Sequence, residues 1–381
     1  MFTPSKQKSL VGLDIEAGSI AAAEVSSNGR VEVHRYGIAP LEPGVFREGE
    51  VTDTEALASS LKELFSRHKL PRNVRLGVAN QRVAVRTLHL PPIENAEELE
   101  TAIRFQAQDH IPMPLDQAVL DWEVVGHRTT DAGERRIEVV AVAGRRDMLA
   151  SVTDALDQAG LRPVGVDLSA FGMIRALARE PRQAVGAAEF VSAPVPYEER
   201  YGADAPPEPA TETTELATGA QLYCNLGDVV NLAVAQGTSC LFSRISPFGI
   251  EGIAQRLAER RRLTLEHARQ WLVHVGLERP HEEIEGNAET VEAAREALDE
   301  GAAKLVDELR LSLEFYGAQE QAVAVDGVVV CGPGSTIPGL VERLQRDLGF
   351  PFQTGAPQAL SHLDQASAAR LTLSYGLALE G

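Results

Sequence analysis

The stretch VVVCGPGSTIPGLVERL, residues 328–344, combines a β-branched run ending at Cys331, a glycine-rich turn and the start of an apolar repeat. The repeat places Leu340, Leu344 and Leu348 on one helical face. The stretch therefore predicts a buried strand, a glycine turn and a helix. Glycines in such a turn let the backbone approach a ligand, and the following helix N-terminus favours negative charge. Taken alone, however, the pattern favours an ordinary strand-to-helix connection.

Two further glycine turns lie at matching places in the two halves of the chain. Residues 10–15 are predicted to form a strand, residues 16–19 a tight turn, and residues 20–25 a returning strand. In the second half, residues 222–226 and 229–235 are predicted strands on either side of a turn at Gly227 and Asp228. One such unit in each half indicates a duplicated domain.

This ordered set of motifs resembles the actin-like ATPases. Four further stretches narrow the resemblance: AIRFQAQDHIPMPLDQAVLDWEVV (102–125), PVGVDLSAFGMIRAL (163–177), DELRLSLEFY (307–316) and ARLTLSYGLAL (369–379). They resemble the PilM family of type IV pilus assembly, in the FtsA-like branch. It implies an α/β fold of the actin-like (ribonuclease H-like) type, with two duplicated domains and an inserted small α+β subdomain.

The resemblance and the local patterns together give an expected domain organisation. The segments are a first part of the first domain (1–82), the inserted subdomain (83–162), a return to the first domain (163–183), a flexible acidic linker (184–219) and the second domain (220–381), with a helical subdomain at about 250–318. The linker is assigned because its Ala, Pro, Glu and Thr content offers too little apolar surface to offset the entropy of ordering.

The family binds ATP with Mg²⁺ between two phosphate loops and an adenosine loop, so the resemblance implies these cofactors and a set of nucleotide-binding residues. The set is Asp14, Gly18, Ser19, Asn225, Gly227, Asp228, Glu308, Gly332, Gly334, Ser335, Gly339 and Leu340. Asp14 is also the expected metal-side carboxylate. No catalytic residue is assigned, because the loops depart from the family pattern.

The departures remove charges that phosphoryl transfer needs. Glu16 stands where the family has glycine and would repel phosphate oxygens unless it swings away or recruits Mg²⁺, while Ala21 stands where the family has lysine. Asn225 replaces an aspartate and brings no negative charge to hold Mg²⁺. Leu311 replaces an arginine near the ribose, although Arg310 is adjacent. Because phosphoryl transfer depends on positioned, metal-neutralised phosphates, we expect weak or absent nucleotide binding and no useful hydrolysis.

The resemblance also implies a partner, the N-terminal cytoplasmic tail of a PilN-like bitopic membrane protein. In the family this tail docks between the first domain and the inserted subdomain. The candidate contacts are Val83, Val85, Met113 and Leu115. Met113 and Leu115 are expected to be exposed in a loop broken by prolines, whereas Phe105 and Trp122 are expected to pack the core of the insert.

A pilus motor ATPase as a second partner and self-association are left open. Two other functions are also left open, an FtsA-like filament-forming ATPase of cell division and a phosphotransferase of the sugar or acetate kinase type. The first uses a basic amphipathic C-terminal helix, which LTLSYGLALEG does not offer. The second needs intact phosphate loops, and the residues at 16, 21 and 225 count against it.

Composition and charge limit the partners and the cellular location that we expect for this protein. The chain has 381 residues, 44% of them hydrophobic, and a net charge of −19, which argues against nonspecific binding to nucleic acid or an anionic membrane. No apolar run approaches the roughly 18 residues of a membrane span, and the first residues lack an apolar signal segment. We therefore expect a cytoplasmic protein, held at the inner face of the membrane through its partner. Its three cysteines are not spaced as metal ligands.

Overall fold

The computed structural model describes residues 10–27, 31–129, 133–178, 183–184, 219–319 and 322–379. The expected linker, 184–219, lies outside the described residues except for its two end positions. Elements are numbered below in chain order.

The first half is built on a five-stranded sheet with a hairpin and three helices. The strands are Leu10–Glu16 (β1), Ser19–Ser27 (β2), Val31–Pro40 (β3), Asn73–Val78 (β6) and Arg162–Leu168 (β10), the hairpin is Phe46–Arg47 (β4) with Glu50–Val51 (β5), and the helices are Thr54–His68 (α1), Arg146–Gln158 (α3) and Ser169–Leu177 (α4). Helices α1 and α3 pack together over one face of the sheet, where their apolar stripes meet.

The inserted unit is a three-stranded antiparallel sheet covered on one face by a helix. Its elements are Val83–Leu90 (β7), Ala96–His110 (α2), Ala118–Thr129 (β8) and Arg135–Arg145 (β9), and the strand order is β7-β9-β8. Helix α2 buries Ile103 and Ala107 against this sheet. The other face of the sheet turns toward the first half.

The second half carries a six-stranded sheet and a helical layer. The strands are Gln183–Ala184 (β11), Ala220–Leu226 (β12), Val230–Gln236 (β13), Ser239–Ser246 (β14), Val325–Cys331 (β15) and Phe352–Thr354 (β16), and the helices are Ile250–Arg261 (α5), Leu265–Val275 (α6), Ala288–Gly317 (α7), Leu340–Leu348 (α8) and Gln365–Ala378 (α9). Helices α5, α6 and α7 form one core with strands β12, β13 and β15.

The two main sheets have the same strand order, as a duplicated domain requires. The order is β3-β2-β1-β6-β10 in the first half and β14-β13-β12-β15-β16 in the second, where β11 extends the edge. In each half the first three strands are antiparallel and the last two join in parallel. The topology therefore repeats although the helices around each sheet differ.

Helices α4 and α9 lie between the two sheets and share a core with both. They cross where Gly172 faces Gly376, and a Cβ added to Gly376 would lie 1.9 Å from the carbonyl oxygen of Gly172. Only glycine permits so close an approach. The crossing presses α9 against β1 and β2, and so brings Arg370 to the end of β1.

The local predictions match these elements closely, but the burial of Phe105 in the insert was predicted wrongly. The strand ending at Cys331, the glycine turn and the helix from Leu340 are all present, with a 3-10 turn at Pro333–Thr336 between them. Phe105 was expected in the insert core, but it is 69% exposed. Residues Ile103 and Ala107 form the buried stripe of α2, and Phe105 lies between them on the opposite face.

Candidate functional site

The turns of the two hairpins face each other across the boundary between the halves. The backbone N–H of Ala17, in the turn between β1 and β2, donates to Oδ2 of Asp228 at 2.6 Å. The other oxygen of the same carboxylate, Oδ1, accepts the N–H of Val229 at 2.8 Å. Asp228 therefore closes its own turn and also binds the first turn.

A buried arginine organises the first turn from the opposite side. Arg370, only 6% exposed, extends from α9 and donates through Nη1 to Oδ2 of Asp14 at 2.5 Å. Its Nε donates to the hydroxyl of Ser19 at 2.7 Å, and its Nη2 donates to the carbonyl of Ser19 at 2.8 Å. A planar guanidinium suits such a set of simultaneous contacts, which a lysine ammonium could not reproduce.

Glu16 brings a second carboxyl group into the same interior. Its Oε2 lies 3.6 Å from Nε of Arg370, and its side chain shares a hydrogen bond with Asn225 of the second half. Burial raises the pKa of Glu16 to about 8; the Arg370 charge opposes this rise, and the nearby carboxylates Asp228 and Asp14 add to it. At neutral pH Glu16 is therefore mostly protonated.

Asp228 is buried in the same cluster and its titration is shifted in the same direction. Burial raises the pKa of Asp228 to about 6, while the hydrogen bonds from the N–H groups of Ala17 and Val229 pull it down. Above that pH the carboxylate carries a negative charge, and its bond to the Ala17 amide is charge-assisted.

Little space remains between the two turns. The cavity there has a volume of about 10 Å³, close to the minimum that holds one water molecule. A Cβ added to Gly227 would lie 2.3 Å from Oε1 of Glu16, and one added to Gly18 would lie 2.6 Å from Cζ of Arg269. Arg269 belongs to α6 of the second half and is held there by two hydrogen bonds, of 2.7 and 2.8 Å, to Glu251.

The glycine turn after β15 is fixed by contacts within the second half. Gly332 has φ +85° and lies so close to Asn225 that an added Cβ would be 2.2 Å from its Oδ1. The hydroxyl of Ser335 donates to the carbonyl of Gly332 at 2.7 Å. The carbonyl of Pro338 accepts the N–H of Leu277 at 2.6 Å, which ties the turn to the end of α6.

The remaining nucleotide candidates occupy varied surroundings. Gly334 is buried beside Ile250 and Leu226, and Gly339, with φ +77°, packs against the backbone at Glu278. Leu340 is fully buried in the core of the second half. Oε2 of Glu308, on α7, lies 3.5 Å from Nη2 of Arg244 on β14.

In this arrangement the residues present do not fit a magnesium nucleotide. The first-turn amide that would receive a phosphate oxygen is bound to Asp228, and the Arg370 guanidinium is bound to Asp14 and Ser19. Phosphates would also meet the negative charge of Asp228. Within the described ranges, no group of three His, Cys, Asp or Glu side chains is placed to hold a metal ion.

The sequence analysis proposed Asp14, Ser19 and Asp228 as candidates and did not include Arg370. The structure brings Asp14, Glu16, Ser19, Asn225 and Asp228 together, as the two-hairpin interpretation implies. Arg370 is far away in sequence, and its signal is a single charged residue within the apolar helix ARLTLSYGLAL. A buried charge in such a helix requires a partner, and that requirement could have indicated the pair.

A second feature is a long groove of about 1360 Å³ beside the inserted sheet. Its walls are β7, β8 and β9 of the insert, β10 and α4 of the first half, and residues 238–241 at the β13–β14 turn of the second half. Strands β8 and β10 are the outer strands of their sheets. Val119 of β8 and Val166 of β10 are each 41% exposed in the groove.

Charged groups in the groove are mainly acidic. Four carboxylates line it, Asp121, Glu123, Glu138 and Asp167, beside one guanidinium, that of Arg175. Arg175 forms an ion pair with Asp167. The groove therefore combines apolar walls with a negative potential.

The structure separates the four candidate partner contacts. Val83 lines the groove, and Val85 lines a neighbouring cavity of about 360 Å³. Met113 and Leu115 were expected to be exposed, but they are half-buried on the other face of the inserted sheet, because they pack with Ile111 there and not in the groove. Trp122 is half-buried beside α2, with the Arg104 guanidinium 5.8 Å from its ring centre, and also reaches the groove.

Known proteins with similar sequences or folds include members of the family that the sequence motifs indicated. The family model for the type IV pilus assembly protein PilM matches residues 12–189. A solved PilM-PilN type IV pilus biogenesis complex is similar at 24% identity, with a TM-score of 0.73 and 97% of each chain covered. The resemblance to PilM is confirmed.

Two solved structures with other names share the PilM-like fold at lower similarity. The ethanolamine utilization protein EutJ from Carboxydothermus hydrogenoformans is 14% identical, with a TM-score of 0.51 and coverage of 100% of this chain and 92% of that chain. MreB5 of Spiroplasma citri, bound to AMPPNP, is 14% identical, with a TM-score of 0.51 and coverage of 98% and 95%. The predicted actin-like α/β fold is therefore confirmed. None of the helices in the described part of the chain has the length and apolarity to cross a bilayer.

Proposed function

We propose that this protein is a cytoplasmic actin-like adaptor in a type IV pilus assembly platform, and that it binds the N-terminal tail of a PilN-like bitopic membrane protein. The observation that carries the proposal is the groove between the inserted sheet and the first half. The match to the PilM family over residues 12–189 supports a role in type IV pilus assembly. The similar solved complex contains PilM with PilN, which supports the proposed partner.

The groove has the features of a site for an extended peptide. An outer strand presents backbone N–H and C=O groups that a further strand can pair with, and both β8 and β10 are outer strands here. The exposed Val119 and Val166 offer apolar contacts beside these edges. Peptide binding by strand addition obtains affinity from the backbone and specificity from such side-chain contacts.

The charge of the groove fits a membrane-proximal tail. Cytoplasmic segments next to membrane spans carry an excess of Lys and Arg. The carboxylates of Asp121, Glu123 and Glu138 would attract such a segment and raise its rate of association. Binding to the tail would place this protein at the inner face of the cytoplasmic membrane.

The proposal does not require ATP hydrolysis. The turn amide of Ala17 is bound to Asp228, and Arg370 is bound to Asp14 and Ser19, so the phosphate loops favour contacts within the chain over a nucleotide. We infer weak or absent nucleotide binding and no useful turnover. We propose the tail as the partner because the groove is the surface whose shape and charge fit it.

Calorimetry with a synthetic peptide of the PilN-like tail from the same organism tests the proposal. Val166→Lys places a positive charge in the groove at the edge of β10, where it would repel a basic tail, and we expect it to weaken binding about tenfold or more. Val273→Lys is the matched control, since Val273 is a similarly exposed valine, at 46%, on α6 of the second half. No binding by the unmodified protein, or equal loss in both variants, would contradict a tail site in the groove.

A further inference from the structure

Besides the bonds of Arg370, three contacts at the hairpin turns join the β12–β13 hairpin and α6 of the second half to the first half. Oδ2 of Asp228 accepts the Ala17 N–H at 2.6 Å. Glu16 shares a hydrogen bond with Asn225. The guanidinium of Arg269 lies over Gly18, where a Cβ would come within 2.6 Å of it. Each contact connects one half to the other.

The contact between Asp228 and Ala17 has the chemistry of anion binding by a turn. A backbone N–H at a tight turn donates well to an oxygen that carries negative charge. A phosphate oxygen would use the same amide, and the Asp228 carboxylate supplies an equivalent acceptor from within the chain. Its second oxygen is held by the Val229 amide, which fixes the direction of the carboxylate.

The first turn is held in position for this contact by Arg370. The arginine binds Asp14 at the end of β1 and both the hydroxyl and the carbonyl of Ser19 at the start of β2. These bonds fix the two strands that flank the turn. Arg370 is thus a positioning residue for the Ala17 amide.

The position of one half relative to the other also shapes the groove. Val119 and Val166, which line the groove, belong to the insert and the first half, whereas Cys240, which also lines it, belongs to β14 of the second half. Contacts that fix the halves at the hairpin turns therefore also fix the distance between the groove walls.

We propose that Asp228 takes the place of a phosphate group on the first turn and latches the two halves together, so that the tail groove is formed without a nucleotide. In an actin-like fold the cleft between the halves is where a nucleotide would join them. Here that connection is built into the sequence. The effect on the groove rests on the function proposed above, whereas the latch itself does not.

Hydrogen exchange of the Ala17 amide in the full chain tests the latch directly. We expect this amide to be protected without nucleotide, and its exchange to be unchanged by millimolar Mg-ATP. Asp228→Ala should speed its exchange about tenfold or more, because the acceptor is removed. Asp228→Asn keeps an oxygen at the same position and should give an intermediate rate, and both variants are first checked for an unchanged circular dichroism spectrum.

Two results would overturn the latch. The first is an equal rate of Ala17 amide exchange in the unmodified protein, in Asp228→Ala and in Asp228→Asn. If Asp228→Ala does not fold, the comparison is between the unmodified protein and Asp228→Asn, and equal rates in these two would overturn the latch. The second is further protection of the amide by Mg-ATP, which would show that the loops bind nucleotide as an ordinary actin-like cleft does.

Affinity for the tail peptide separates the latch from its effect on the groove. We expect Asp228→Ala to bind the peptide several-fold more weakly than Asp228→Asn, since the groove walls are no longer fixed. Equal affinities would overturn the link between latch and groove. If the unmodified protein binds no tail, the proposed function fails, and the exchange measurement still decides the latch.

Discussion

Arg370 and Asp14 are 356 positions apart in the sequence and meet at 2.5 Å in the interior, where both side chains are almost completely buried. The pair joins the last helix of the chain to its first strand. Arg370 also binds Ser19, at the end of the turn whose amide is bound by Asp228. The pair therefore holds the end of β1 beside the residue that starts β2.

Removing the arginine should destabilise the whole protein. Arg370→Met leaves the Asp14 carboxylate buried without its partner, which costs about 3–5 kcal/mol in comparable cases. Urea unfolding measures the loss. Arg67→Met is the matched control, because its ion pair with Glu63 is exposed and should matter little. Equal stability of the two variants would refute a structural role for the buried pair.

The acidic cluster should make stability fall as the pH rises. The pKa of Glu16 is raised from 4.5 to about 8 and that of Asp228 from 3.8 to about 6, so in these ranges the folded protein holds protons that the unfolded chain has released. The contribution of each group to the free energy of unfolding is complete below the pKa that the group has in the unfolded chain. It is lost as the pH rises toward the pKa in the folded protein, at up to about 1.4 kcal/mol per pH unit for each proton.

Glu16→Gln isolates this effect, because the amide resembles the protonated carboxyl group and does not titrate. The midpoint temperature of unfolding should decline for the unmodified protein between about pH 5 and about pH 8 and decline less for the variant. Asp14, Asp228, Arg370 and Asn225 face the group in both proteins. Parallel curves would mean that Glu16 keeps an ordinary pKa.

The glycine crossing between α4 and α9 should tolerate no side chain. Gly376→Ala would place a Cβ 1.9 Å from the Gly172 carbonyl oxygen, and forcing the helices apart should cost at least about 1–3 kcal/mol. Gly317→Ala is the control, since it lies near the end of α7 with no atom within 4 Å of the added Cβ. That change should be neutral or stabilise the helix by up to about 1 kcal/mol. The opposite order in thermal unfolding would contradict the crossing.

Binding of the tail should weaken as salt is added. The carboxylates in the groove act on a basic peptide through a field that is screened over about 8 Å at physiological ionic strength. Glu138→Gln should lower both the affinity and its dependence on salt, while Glu63→Gln, an exposed change on α1, should do neither. An affinity independent of salt in the unmodified protein would exclude electrostatic recognition.

Local patterns predicted the elements because their causes are local. The strand, glycine turn and helix of residues 325–348 follow from β-branched residues, from glycines and from an apolar repeat at helical spacing. Thr264 is a residue type that favours the N-cap position, and its side chain accepts the N–H of His267. The resemblance to PilM supplied the fold that local patterns alone could not.

The structural features that could not be predicted from the sequence depend on tertiary contacts. Phe105 is apolar but lies off the buried stripe of α2, and its exposure follows from helical phase and not from composition. Arg370 meets Asp14 only because glycines let α9 approach α4 and β1. The hydrogen bond from Ala17 to Asp228 joins two turns that are 211 positions apart.

Calorimetry of the tail peptide against the full chain, with and without millimolar Mg-ATP, decides whether this protein binds a PilN-like tail through a groove that needs no nucleotide. We expect clear binding with the same affinity in both conditions, and no heat from Mg-ATP alone. Binding that occurs only with Mg-ATP, or no binding in either condition, would refute this mode of binding.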